Sequence, residues 1–125
     1  MGLDTYAAEK INGKWAHVPS DKYNDVGPLC GGLLSGGSGS SSFRGKAYAE
    51  YVESATGESL YQDVIPNETV IAMAHDLMVE ALWAMSLYRG RGRSKADEEE
   101  CLEKLALAKW FKITADNGWS VLGWW

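Results

Sequence analysis

The residues best suited to chemistry sit in one run, Ser38-Gly39-Ser40-Ser41-Ser42-Phe43-Arg44-Gly45-Lys46-Ala47-Tyr48. Glycines let backbone N–H groups turn inward, because glycine adopts conformations that other residues avoid. The hydroxyls of Ser38, Ser40, Ser41 and Ser42 add donors. Arg44 can grip a phosphate through two parallel hydrogen bonds, and Lys46 adds a compact positive charge. Phe43 can lie against a nucleobase, and Tyr48 can wall the pocket. A helix starting near Phe43 would add unpaired N–H groups and the positive end of its dipole. The run is not a Walker loop, which requires Gly-x-x-x-x-Gly-Lys and then Ser or Thr, nor a dinucleotide fingerprint. A plainer alternative stands beside this reading: Gly27 to Ser42 also has the composition of a flexible surface loop or linker. Leu29-Cys30 and Leu33-Leu34 argue for a loop whose first half is anchored to the core.

A second cluster is Arg89, Arg91 and Arg93, followed by Lys95. Its cations either complement the C-terminus of a preceding helix or clamp a polyanion, completing a site in a neighbouring subunit. His75-Asp76 matches the histidine–aspartate pair of metal phosphohydrolases, but the one other histidine is His17, too few ligands for a metal site. Cys30 before Gly31-Gly32 reads as a buried thiol rather than a nucleophile served by His17 or His75. No cofactor and no catalytic residue is expected, so the chain is read as a binder more than an enzyme.

Composition bounds these readings. A chain of 125 residues is the size of one domain, here taken as 1–125. A net charge of −5 and a pI near 5.0 argue against general nucleic-acid binding while leaving room for a local anion site. Two cysteines make no disulfide framework, no signal peptide is evident, and the uninterrupted apolar runs are far shorter than a membrane span. The expectation is a cytoplasmic protein with reduced thiols and no membrane partner.

The elements that must position these groups predict an α+β fold. Leu3–Ala8 and Lys14–Val18 read as strands joined by Asn12-Gly13, a turn in which both residues tolerate positive φ. Trp15 and His17 would share one face of the second strand. The Gly/Ser loop then enters a helix from Phe43 to Ala55 or Thr56. A link through Leu60, Tyr61, Val64 and Ile65 leads to a helix opened by Pro66 and capped by Asn67, running to about Tyr88. Ser94 with Asp97 starts a further helix, which Asn117-Gly118 ends. The two long helices form an antiparallel hairpin. The tail from Trp119 to Trp125 is too apolar for water and should pack on the fold or on another subunit. Together with the broad apolar face of the long helix, it predicts a homo-oligomer.

Met1-Gly2-Leu3-Asp4-Thr5-Tyr6-Ala7, Leu29-Cys30-Gly31-Gly32, Ser42-Phe43-Arg44-Gly45-Lys46-x-Tyr48 and Thr56-Gly57-Glu58-Ser59-Leu60-Tyr61 resemble a family of small, uncharacterised phage and prophage proteins. The resemblance covers the N-terminal half and implies a viral origin, in which small non-virion proteins often counter host defence. The resulting expectation is a non-enzymatic protein that sequesters a small phosphorylated ligand, a nucleotide or cyclic nucleotide signal, in the host cytoplasm. The rival readings are a protein–protein inhibitor of a host defence enzyme and a phosphoester hydrolase.

Overall fold

The computed structural model describes residues 2–31, 36, 39–89 and 94–125, with backbone alone at 88 and 89. The fold is α+β, a five-stranded antiparallel sheet packed against a helical layer. Strand β1 (Asp4–Ile11) turns through Asn12 (φ 51°) and Gly13 (φ 80°) into β2 (Lys14–His17). Positive φ at both central residues gives the hairpin its right-handed twist, so the Asn-Gly signal does what it predicts. The first half of β1 pairs along the same edge with β3 (Ser42–Arg44). Its other edge pairs with β5 (Ser120–Trp124), which in turn pairs with β4 (Val64–Ile65).

Strand alternation divides the sheet chemically. Leu3, Thr5 and Ala7 share one face with Phe43, Val121 and Ile65, and all are buried. The other face carries three cross-strand rows. Arg44, Asp4 and Trp124 form the first, Ser42, Tyr6 and Leu122 the second, and His17, Ala8 and Ser120 the third. Beneath Arg44 the chain passes so close to β1 that a Cβ on Gly45 would fall on Thr5 Oγ1 and within 2.9 Å of Leu3 Cδ2. Only glycine fits this crossing.

The helical layer follows. A turn of 3-10 helix at Gly45–Ala47 leads to α1 (Ala49–Thr56). Helices α2 (Asn67–Arg89) and α3 (Lys95–Asp116) pack as an antiparallel hairpin. Ser94 caps α3 as expected, its hydroxyl accepting from the Asp97 N–H at 3.3 Å. Val70, Met73, Leu77 and Ala81 of α2 meet Leu107, Trp110 and Phe111 of α3 in one core with the inner sheet face.

Asn67 has a different role from the cap expected of it. It is the first residue of α2, and its amide Nδ2 donates to Ala115 O at 3.2 Å and Trp119 O at 2.8 Å. Two donors on one nitrogen thus tie the end of α3 and the entry to β5 to the start of α2. Asn67→Ala should cost about 1–3 kcal/mol, because both buried-side carbonyls lose a donor at once. Asn67→Asp should cost more, since it presents oxygens to oxygens. Urea denaturation of both variants checks the order.

Among the described residues α2 is, over Asn67–Leu87, long and apolar enough to cross a membrane by length and composition. The uninterrupted apolar runs within it remain short, as the sequence indicates, because His75, Asp76 and Glu80 break an otherwise apolar helix. A core helix meets the same criterion, and one face of α2 is core.

Candidate functional site

The Gly/Ser loop does not run into a helix. Ser42, Phe43 and Arg44 are extended and close the open edge of β1, and the first α-helical residue is Ala49. Pairing with β1 satisfies backbone groups that a helix start would have left free, so no helix dipole faces the loop. The Arg44 N–H donates to Cys30 O, and the Ala7 N–H to Ser41 O at 2.9 Å.

The serines that were expected to offer hydroxyls to a ligand are bonded to one another. Ser41 Oγ lies 3.2 Å from Ser20 Oγ, which accepts the Ser41 N–H at 3.3 Å. Ser40 Oγ accepts the Ser42 N–H at 3.2 Å and lies 3.2 Å from Ser42 Oγ, which accepts the Gly36 N–H. Trp110 Nε1 donates to Ser40 O at 3.1 Å, across 70 positions of sequence. The described end of this segment is therefore tied to α3 and the sheet, which removes the linker reading for Ser40 to Ser42. Ser41 and Ser42 are buried.

Two aromatic assignments also need correction. Phe43 lies on the inner face, fully buried, with Trp110 edge-on at 4.8 Å and Tyr48 at 5.7 Å, so it cannot stack on a base. Tyr48 is buried, and its hydroxyl accepts the Cys30 N–H at 2.9 Å while donating to Glu103 Oε2 at 2.8 Å. Burial pushes its pKa up from the usual phenol value, and the Glu103 carboxylate adds to this against the opposing effect of the Cys30 N–H. Its polar atom is spent on the fold. Ser38, Arg91 and Arg93 lie outside the described residues, as does the side chain of Arg89.

Arg44 and Lys46 keep their predicted character. Both are exposed, and neither joins the ion pairs among the described residues, Lys104–Glu100 and Lys112–Asp116. The Arg44 guanidinium lies alongside Gly2, 3.5 Å from where a Cβ there would stand. On the same sheet face, Tyr6 and His17 stack with centroids 4.7 Å apart and planes 22° from parallel. Trp124, in the same row as Arg44, is exposed. Two residues along a strand span about 7 Å, so the Arg44 and Tyr6 rows are separated by about the length of a nucleotide's sugar–phosphate step.

Comparison with protein-family models, curated proteins and solved structures finds no match. The site therefore rests on its own geometry. Tyr6, His17 and Trp124 were not among the residues predicted for it. The Asn-Gly hairpin reveals that Trp15 and His17 share a face, but their alignment with Arg44 depends on β3 and β5 pairing with β1.

A second concavity, of about 350 Å³, lies between the start of α1 and α3 and includes Tyr48, Tyr51, Glu99, Glu100, Glu103 and Lys104 in its wall. Three carboxylates make it unsuited to phosphate. The Tyr51 hydroxyl is buried there with no hydrogen-bond partner among the described residues, and Lys104 Nζ sits 5.3 Å from its ring centroid. Burial, with Glu80 and Glu100 nearby, pushes Tyr51 up to about 12. Burial raises Tyr23 to about 12 as well, offset in part by its hydrogen bond to Thr114. The Tyr23 and Thr114 hydroxyl oxygens lie 2.9 Å apart, and Thr114 Oγ1 also lies 2.8 Å from Trp110 O.

These phenols hold their protons more tightly folded than unfolded, where ionisation begins near pH 10. The stability they contribute is complete below that pH and is lost as pH rises from roughly 10 towards the folded values of about 12. Melting temperature should fall steeply across this window. Tyr23→Phe, which removes one of the protons concerned, should flatten the fall. A Tm unaffected by alkali in the parent protein would contradict this account.

Proposed function

We propose that this protein is a non-enzymatic binder of a small phosphorylated ligand of nucleotide type, docked on the outer face of the sheet where Arg44, His17 and Trp124 are exposed and Tyr6 is half-buried. The observation that carries the reading is the placement of Arg44. It is fixed by pairing with Asp4 of β1 and by its N–H, which donates to Cys30 O, anchored through the buried Phe43 beside it, and exposed one row from the Tyr6–His17 stack. A planar cation fork one row from an aromatic pair supplies the two recognition elements a nucleotide needs, phosphate contact and a π surface. Lys46 adds positive charge nearby in the chain.

A binder is favoured over a hydrolase because the groups available for acid–base work are dispersed. His17 is on β2 and His75 on α2, and the Tyr48 hydroxyl is already engaged. Among the described residues no set of three His, Cys, Asp or Glu side chains stands where it could hold a metal ion. The resemblance to phage proteins supports a cytoplasmic role in capturing a host nucleotide signal. The alternative, inhibition of a host enzyme through the helical hairpin, draws on the exposed apolar residues of α2.

The test is equilibrium dialysis against adenosine and guanosine monophosphates, their cyclic forms and inorganic pyrophosphate. Chromatography of the recovered material then follows. Retained, chemically intact nucleotide supports the binder. Turnover would make the protein a hydrolase, and no retention of any probe would remove this reading.

A further inference from the structure

The outer face of the sheet continues past the Tyr6–His17 stack. Strands β3 and β2 pair one after the other with the same edge of β1, so their outward residues form one column: Arg44, Ser42, His17 and Trp15. The outward residues of β1 run beside it, ending at Lys10. Lys10 stands opposite Trp15, and its Nζ lies 5.4 Å from the Trp15 ring centroid. Both side chains are exposed, Trp15 by 39%. This end of the face therefore repeats the chemistry of the Arg44 end, a cation beside an aromatic surface. Between them Ser42 and Ala8 are small and buried, which keeps the path low.

Charge is sorted in the same way. Of the 17 acidic residues, eleven lie on α1, α2 and α3. The strands carry Lys10, Lys14 and Arg44 against Asp4 and Glu9. Glu9 belongs to the opposite side of β1, and Asp4 is 7% exposed. The net charge of −5 is thus concentrated in the helical layer, while the outer sheet face is locally cationic.

We propose, resting on the nucleotide reading above, that the ligand is a short single strand of phosphodiester-linked nucleotides laid along the column from Arg44 to Trp15. Two residues along a strand span about 7 Å, so His17 and Trp15 stand about one extended nucleotide step apart. Arg44 to Trp15 is three such intervals, about 20 Å, which suits about three nucleotides. Successive bases lie on the Tyr6–His17 stack and on Trp15, and the phosphates reach Arg44 and Lys10. Aromatic platforms accept any base and cations track the backbone, so the face selects for strand length rather than sequence. A duplex keeps its bases paired and stacked within itself and has none to lay on the sheet. A free phosphate or a lipid headgroup would use the cations and leave the aromatic positions idle.

Calorimetry of the full chain with adenosine monophosphate, the phosphodiester-linked adenylate trinucleotide and inorganic tripolyphosphate is the test. The trinucleotide is expected to bind at least about tenfold tighter than the monophosphate, the gain that one further stacked base supplies. Trp15→Ala should remove this gain and leave monophosphate affinity unchanged. Trp15→Phe, which keeps a ring on β2, should retain most of it. Lys10→Gln should reduce the slope of log affinity against log salt by about 0.7 for the trinucleotide and not for the monophosphate. A trinucleotide no tighter than a retained monophosphate overturns the proposal and leaves the mononucleotide reading standing. A gain that survives both Trp15→Ala and Lys10→Gln also overturns it, as does tripolyphosphate bound as tightly as the trinucleotide. Retention of neither nucleotide removes the mononucleotide reading and this proposal with it.

Discussion

Trp110→Ala should nearly abolish the folded state. Trp110 is fully buried and touches Phe43, Tyr23 and Phe111 at centroid separations of 4.8, 5.5 and 5.2 Å. It thus joins β3, the 3-10 turn at Ser20–Tyr23 and α3 in one cluster. Truncating a buried Trp costs about 3–5 kcal/mol, of the same order as the whole stability of a small domain. Trp110→Ala also strips the Ser40 carbonyl of the indole donor at 3.1 Å, and that loss adds to the cavity. A fall in Tm on the order of 10–20 °C, or no cooperative transition at all, is expected. Trp110→Phe separates the two effects. It keeps most of the apolar volume and loses the hydrogen bond, so its cost should be nearer to 1–2 kcal/mol, with faster amide exchange near Ser40. Equal losses in the two variants would mean that the indole N–H, not the ring volume, holds this junction.

The elements that could be read from sequence are those defined by neighbouring residues. Asn12-Gly13 encodes its turn through the φ values those residues accept, and Ser94 with Asp97 encodes its cap through one local hydrogen bond. The helical spacing of Tyr48, Tyr51, Val52 and Ala55 marks α1 and its end at Thr56, but not its start, which is Ala49 rather than Phe43. What failed was decided by distant partners. Ser42-Phe43-Arg44 is too short to show alternation of its own, and it becomes a strand because β1 offers an open edge. Ser120–Trp124 looked like an apolar tail that must be covered somewhere. It is the strand between β1 and β4, a place that only the pairing of residues over a hundred positions apart can assign. Tyr48 does wall a concavity, but one that also carries Glu99, Glu100 and Glu103, and its hydroxyl is held by Glu103 and Cys30 rather than offered to a phosphate. The same non-local pairing carries Arg44 to the Tyr6–His17 face, which is why Arg44 was legible as a candidate while its surroundings were not.

The ligand site can be tested by one substitution whose effect on affinity is large and on folding small. Arg44→Ala removes an exposed side chain and leaves in place the backbone N–H that donates to Cys30 O. Surface changes of this kind usually alter stability by less than about 0.5 kcal/mol, so the melting curve should hardly move. Binding should weaken about ten- to a hundredfold, because a charge-assisted contact with phosphate contributes roughly 1.5–3 kcal/mol. Arg44→Lys should recover only part of the loss, since ammonium carries the charge without the planar fork. Tyr6→Ala provides the independent check. It leaves Arg44 intact but removes the aromatic surface, so it should weaken nucleotides while sparing inorganic pyrophosphate. Calorimetry of the three variants against pyrophosphate and the best-retained nucleotide therefore distinguishes phosphate contact from base contact. Parent-like affinity in both Arg44→Ala and Tyr6→Ala would move the ligand off this face of the sheet. Loss in Arg44→Ala alone would keep the phosphate contact but reject Tyr6–His17 as the platform for the base.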